Sequence, residues 1–405
     1  MKGMISIRNM NILAIETSCD ETAAAIIKDG NQILSNVVVS QIDIFAAYGG
    51  VIPEVAARSH LEAMLPVVHK AFADADFITS NDQDDWSKID AIAVTHTPGL
   101  LGSLLIGTLT ARTLAILHDK PLYAVHHLKS HIYACWLNES EPTDCSSVTH
   151  EESLRDSPVA LRLYSSQSVG LFSFPILALV ISGGHTQIIY MREHNHFEII
   201  GTTRDDAIGE CFDKVAKILG LPYPGGPAIA KAAEKGDSNK YKLPHPRMDD
   251  LDFSFSGLKT AVLRAVQKEC NLPISHPSYD LKNHLSKQQV VDFAASFQKT
   301  AIDILLEKLQ KALSGRPEVK TIVFAGGVAA NAELRKKAKQ VFCPTATQST
   351  NDSMHEENLR LAFPALKFTG DNAAMVGAAA FYEIQIGAQP VDPYKLDIFP
   401  RSPIF

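Results

Sequence analysis

Apolar and polar positions along this 405-residue chain fall into two periods. Short apolar runs at 11–14, 23–27, 89–94, 123–125, 174–181 and 321–325 have strand length and β-branched or alanine-rich composition, and 186–191 alternates with polar residues facing outward. Between them lie helical patterns. Val55, Leu61, Leu65, Val68 and Phe72 predict a helix over 55–73, followed by an apolar helix over 101–117 and an amphipathic one over 207–219. A long helix is predicted over 287–314, another from the Gly326-Gly327 turn through 340, and an alanine-rich helix over 372–386. The breaker-rich stretch 221–227 (LPYPGGP) reads as a loop.

Strands alternating with helices make the fold class α/β. One unit recurs at 12–27, 177–190 and 321–334: an apolar strand, a small-residue turn, then a returning strand or a helix. Its spacing is too irregular for a solenoid and fits two similar lobes facing a central cleft. We divide the chain into lobe I at 10–137, completed by a C-terminal helix at 371–395, and lobe II at 173–370. Residues 138–172 are an inserted polar segment, because 138–168 is rich in Ser, Glu, Asp and Thr and lacks a period; 345–358 is a second polar insertion.

Composition narrows the class. With 46% hydrophobic and 20% charged residues, the chain is neither disordered, collagenous nor a disulfide miniprotein. Six scattered cysteines without a C-x-x-C pair fit a reducing compartment. No apolar stretch spans a membrane, and the N-terminus lacks a signal-peptide or transit-peptide pattern, which places the chain in the cytoplasm, bacterial before mitochondrial. The net charge of -7 argues, as a bulk number, against nucleic acid, although a basic cluster stands at Arg335-Lys336-Lys337 with Lys339.

Several clusters can carry chemistry. His127 and His131 stand at i and i+4, on one helix face, close enough for one cation. The metalloprotease pattern needs Glu after the first His; here that position is Leu128. Asp371, in Thr369-Gly370-Asp371-Asn372, is either the N-cap of the last helix or a third ligand, completing a His-His-Asp site suited to Fe(II) or Zn(II). Val180-Ile181-Ser182-Gly183-Gly184 ends a strand in a turn whose N–H groups can ring an anion, or is a plain hairpin. The Gly326-Gly327 turn before Asn331 admits a flat ring or ribose, or is a glycine-permitted strand-to-helix turn; neither a Rossmann nor a P-loop pattern is present. Asp213 can hold a hydroxyl, with Gly226 allowing close backbone approach. The serines and phenylalanines of 252–259 read as a half-buried strand more readily than as an exposed recognition strand.

Taken in order, AIETSCDET, YGGVIPEVAARSH, HHLKSH, LVISGGHTQ, DDAIGECFDKVAKILGLPYPGGP, LDFSFSGLKT, AGGVAANAELR and TGDNAAM resemble the tRNA N6-adenosine threonylcarbamoyltransferase (TsaD) family, formerly labelled O-sialoglycoprotein endopeptidase. The resemblance runs from Ala14 to Met375. It implies an actin/hexokinase/Hsp70-like (ASKHA) fold and transfer of threonylcarbamoyl from threonylcarbamoyl-AMP to the N6 amine of adenosine 37 in tRNAs reading ANN codons, giving t6A. It implies His127, His131 and Asp371 as ligands of one divalent metal, Fe(II) before Zn(II). It implies Val180, Ile181, Ser182, Gly183, Gly184, Asp213, Gly226 and Asn331 at the adenylate site, with Asp20 and Glu21 in a catalytic role. Expected partners are the tRNA anticodon loop, TsaB-like and TsaE-like proteins in a bacterium, or a second copy of the chain, and no membrane. Three features depart from the family: Thr97-Pro98-Gly99 replaces an expected Gly-Pro-Gly, the segment at 138–168 is roughly thirty residues longer than the usual connection, and the stretch at 345–358 is also longer. A metalloprotease and an ASKHA small-molecule kinase are the alternatives. Leu128 counts against the first, and the His pair against the second, because Mg-ATP sites prefer carboxylate and water ligands.

Overall fold

The computed structural model describes residues 9–137, 141–144, 172–245, 248, 250–343 and 359–401. Its first sheet contains β1 (Asn11–Glu16), β2 (Glu21–Lys28), β3 (Gln32–Ser40), β4 (Ala91–Thr97) and β5 (Leu122–His126), in the order β3-β2-β1-β4-β5. The second contains β6 (Glu141–Asp144), β7 (Ile176–Ile181), β8 (Thr186–Glu193), β9 (His196–Thr202), β10 (Thr321–Ala325) and β11 (Arg360–Phe363), in the order β6-β11-β10-β7-β8-β9. Read from β9, the second sheet repeats the first. A central strand pairs antiparallel with the next one in sequence, which pairs antiparallel with a third; on the other side two parallel strands follow. β6 is an added antiparallel edge. This duplicated plan is the two-lobed ASKHA fold expected from the sequence. The second polar insertion and all of 138–172 except 141–144 and 172 lie outside the described residues.

The helices are α1 (Ile42–Tyr48), α2 (Pro53–Asp74), α3 (Leu101–Leu117), α4 (His127–Tyr133), α5 (Ile208–Leu219), α6 (Gly225–Ala233), α7 (Ser256–Glu269), α8 (Lys287–Ser314), α9 (Ala332–Phe342) and α10 (Ala373–Gln385). α3 and α9 supply the crossovers that parallel pairs need. α8 starts in a capping box, with Ser286 and Gln289 each satisfying the other's backbone N–H.

The strands are continuous apolar runs because both faces of each sheet are covered. Side chains of β1 alternate: Leu13 and Ile15 pack beneath α2 with Met64, Val68 and Phe72, while Ile12 and Ala14 face α10. In β7, Leu177, Leu179 and Ile181 meet the α5–α8 core through Phe212, Phe293 and Phe297; Ile176, Ala178 and Val180 face the other way. The faces turned inward by the two sheets share one apolar cluster with Leu128 and Ile132 of α4 and most of α10. Two helices therefore fill the layer between the sheets. That position explains α10's composition, since a helix buried all round must be thin. At Gly377 a Cβ would lie 2.8 Å from Ile27 Cγ1 and 3.4 Å from Ala14 Cβ.

Some segments differ from the pattern reading. α6 begins inside the expected 221–227 loop. The 252–259 segment is not a strand: Phe253 and Phe255 are buried anchors, and α7 starts at Ser256. The basic cluster is partly tied into the fold, with Arg335 donating to Ala329 O and Pro364 O and stacking on Phe363, and Lys337 paired with Asp303. Cys19, Cys135, Cys211 and Cys270 are free thiols, as a reducing compartment predicts, whereas Cys343 is disulfide-bonded and departs from that expectation. No helix among the described residues is long and apolar enough to cross a membrane.

Replacing Gly377 by Val forces side-chain atoms into β1 and β2. Overpacking of this kind costs about 1–3 kcal/mol, and urea unfolding of Gly377→Val against the wild type measures it.

Candidate functional site

α4 is short and follows directly from β5. His126 is its N-cap, with Nδ1 accepting from Leu128 N at 3.2 Å. This places His127 and His131 on one face, rings 4.6 Å apart and nearly perpendicular. At the mouth of α10 the capping question is settled by the neighbour of Asp371. Asn372 caps the helix by accepting from Met375 N at 3.1 Å and ties the preceding turn by donating to Gly370 O at 2.9 Å. Asp371 is thereby released from capping and turned toward α4.

Asp371 Oδ1 lies 3.1 Å from His131 Nε2 and 3.5 Å from His127 Nε2, and the three residues present ligand atoms within 4.8 Å of one another. Nδ1 of His131, which is fully buried, lacks a hydrogen-bond partner among the described residues, and Nε2 faces Asp371 Oδ1 without the alignment of a good hydrogen bond. A buried polar group without a partner is costly. Two imidazoles and a carboxylate converging on one point are the donor set of a borderline divalent ion, so the residues fit a bound metal.

The surrounding charges favour a cation there. Burial opposes charge on His127, yet Asp371 and Glu16 raise its pKa to about 9. Burial also works against the Asp371 carboxylate, but His127 and His131 hold its pKa down at about 2. His131, buried beside the charge on His127, is pushed down, and His185 falls to about 4 through burial and the two neighbouring histidines. Sequence reasoning gave Glu16 no role. It ends β1, is fully buried, and holds His127 Nδ1 at 3.2 Å while accepting from Thr95 Oγ1. A carboxylate behind a ligating imidazole fixes its orientation and basicity. The available signal was a glutamate closing an otherwise apolar strand.

Among the other expected residues, Glu21 lies within electrostatic reach of Asp371, and Asp213 within reach of Asp20. Asp20 sits in the β1–β2 turn and Glu21 opens β2. Burial, then Asp371 and Asp20, hold the Glu21 carboxyl well above its ordinary range; the Cys19 thiol is raised by burial and the same acidic surroundings. His60, also unassigned from sequence, is fully buried behind this turn, with Nε2 3.0 Å from Cys19 O and Nδ1 2.8 Å from Thr22 Oγ1. It holds the turn at both ends.

Val180 and Ile181 have buried side chains and lie in the ladder to β8, with Val180 also paired to β10. Ser182 N–H closes the turn onto His185 O at 2.9 Å, and Gly183 and Gly184 follow in the same turn at positions where a Cβ would meet nothing. Asp213 is raised by burial and by Asp20, which places it across from the β1–β2 turn, and its Oδ1 accepts from Gly225 N at 2.7 Å. Gly225 packs onto α5, where a Cβ would lie 2.5 Å from Asp213 Cα, while Gly226 borders open space. Asn331 caps α9 by accepting from Leu334 N at 3.0 Å and donates to Gln298 Oε1 at 2.8 Å, which accounts for it structurally. Gly326, at φ 91°, needs glycine for its backbone, which favours the plain-turn explanation there.

The model of the family described as "TsaD: tRNA N6-adenosine threonylcarbamoyltransferase" matches residues 32–148 and 159–378. The chain belongs to this family. A relative from Syntrophomonas wolfei, named tRNA N6-adenosine threonylcarbamoyltransferase, is 42% identical over 399 residues and covered to 98% in both chains. One of the same name from Symbiobacterium thermophilum is 41% identical over 379 residues, covering 93% of each. Among solved structures, component A of the Acidaminococcus fermentans (R)-2-hydroxyglutaryl-CoA dehydratase aligns over 93% of this chain and 99% of its own at 13% identity, with a TM-score of 0.44.

Glu16→Gln removes the charge behind His127 while keeping its size. Metal affinity is expected to fall about 10–100-fold, read by competition with a chromophoric chelator, with the circular dichroism spectrum unchanged.

Proposed function

We propose that this chain transfers threonylcarbamoyl from threonylcarbamoyl-AMP to the N6 amine of adenosine 37 in tRNAs reading ANN codons. Membership of the family carries this reading. The convergence of His127, His131 and Asp371 beside the Ser182–Gly184 turn supports it. The metalloprotease and kinase alternatives lack such support.

An exocyclic aromatic amine is a poor nucleophile, so the acceptor carbon must be electrophilic and held in place. In our reading His127, His131 and Asp371 would hold one divalent ion, Fe(II) before Zn(II), which when bound would supply Lewis acidity to stabilise charge on the carbonyl. Gly183 and Gly184 N–H groups face the anionic part of the adenylate, and Asp213 and the open position at Gly226 line its far side. N6 attacks the carbamoyl carbon, the bond from that carbon to the phosphate oxygen breaks, and AMP leaves. The proton lost by N6 passes to the Asp20–Glu21 pair. The high proton affinity of the Glu21 carboxyl suits it to take that proton. Asn331 acts from beneath, fixing the start of α9. Adenosine 37 is reachable because a single-stranded loop can splay a base outward.

The lobe boundaries at 10–137 with 371–395, and at 173–370, belong to the same proposal, with the donor bound between the lobes. We assign the chain to the bacterial cytoplasm, with tRNA and TsaB-like and TsaE-like proteins as partners. The exposed leucines Leu61 and Leu65 of α2 and Leu101, Leu105 and Leu109 of α3 offer a TsaB-like protein an apolar surface. With much of the Arg335–Lys339 cluster internally engaged, tRNA binding by the chain alone is weak and salt-sensitive.

The test supplies threonine, bicarbonate, ATP, a threonylcarbamoyl-AMP synthase and tRNA, with and without partners, and looks for t6A by nucleoside analysis. Absence of t6A under every partner combination overturns the reading. His131→Ala is expected to lose both bound metal and transfer; retention of both removes the three-ligand site.

His60→Ala frees the turn that carries Asp20 and Glu21. Transfer is expected to fall in kcat by at least tenfold with bound metal retained, measured by single-turnover t6A formation alongside metal analysis.

A further inference from the structure

A second cluster lies outside this site, in the connection between α7 and α8. His276 Nε2 is 3.0 Å and His284 Nε2 is 3.1 Å from the same oxygen, Asp280 Oδ2. The rings are 5.1 Å apart and nearly perpendicular, and the three residues present ligand atoms within 4.8 Å of one another. The other carboxylate oxygen is already held by Asn283 Nδ2 at 2.8 Å. Asp280 thus has one oxygen fixed and the other facing two imidazole nitrogens.

We propose that His276, Asp280 and His284 form a second divalent-cation site, selective for Zn(II)-class ions, that clips the α7–α8 connection. Without an ion, both imidazoles must crowd their Nε2–H protons onto one oxygen. A cation replaces those protons and takes two nitrogens and one oxygen as ligands, leaving a position for water. Two imidazoles favour Zn(II) and its neighbours over Mg(II) or Ca(II), which take oxygen. Asn283 orients the carboxylate as an outer-shell partner.

The connection is already shaped for this. Gln267, buried in α7, donates to Ile274 O at 3.1 Å and to His276 O at 3.2 Å. Leu281 is fully buried and accepts from His284 N at 3.0 Å, and Cys270 Sγ donates to His284 O at 3.5 Å. Both histidine backbones are therefore fixed before an ion arrives, which reduces the ordering entropy of binding. The side chains are part-exposed, 19% for His276, 34% for Asp280 and 39% for His284, so the ion exchanges with solvent. Lys282 lies against Gly220 at the end of α5, and through it the clip steadies the helix that carries Asp213.

The test uses the full chain stripped by chelator and dialysed against stepwise Zn(II), with bound zinc counted by mass spectrometry. The H276A/H284A variant is expected to bind one zinc fewer per chain than the wild type. It should also lose the wild type's zinc-dependent rise in melting temperature, with the circular dichroism spectrum unchanged. Asp280→Asn, which keeps the hydrogen-bonding shape, should lose the same equivalent. H131A serves as the control for the first site and should retain the second zinc. Equal zinc counts in the wild type and H276A/H284A overturn the proposal, as does loss of the second equivalent in H131A alone.

Discussion

Burial of α4 and α10 between two sheets is the constraint from which the rest follows. Against the first sheet the space is narrow, so α10 runs mostly as alanines around Gly377, whose missing Cβ lets it lie against Ile27 and Ala14. The two helices, held at fixed depth, bring their ends together. α4 starts at β5 with His127, and α10 starts just after Asp371. The candidate metal site is thus a product of core packing. Its ligands stand on rigid elements, the placement that keeps a site preorganised.

Electrostatics then act on that geometry. Glu16, Glu21 and Asp371 crowd carboxylates around two buried imidazoles, and their pKa shifts describe a pocket that favours positive charge. The carboxylates divide by environment. Asp371, facing two histidines, is held low, while Glu21, buried among other acids, is pushed up. Neighbouring acids pushed in opposite directions are a recurrent source of acid–base function.

Much of this was legible in the residues. The His127/His131 spacing is a helical-face argument that needs only the 3.6-residue period, and it held because α4 is helical at that point. The choice for Asp371 between cap and ligand was open, since either residue of the pair Asp371-Asn372 can cap; Asn372 took the cap through its contact with Met375 N. Periodicity misjudged 221–227 and 252–259. Pro and Gly mark a break without saying that a helix can begin at Gly225, and alternating Phe and Ser suit a strand equally well as a buried pair of anchors ahead of α7.

The sequence by itself determined the α/β class, the repeated strand-and-turn unit and the ordered motifs that mark the family, because these rest on local periodicity and residue order. Only the tertiary structure decided what lies behind each motif. Glu16 behind His127, His60 behind the Cys19–Thr22 turn, and Asp213 across from Asp20 join residues 111, 41 and about 190 positions apart. No local pattern encodes such pairs. They arise because two sheets, each buried on both faces, bring the ends of β1, β5 and β7 to one place between the lobes.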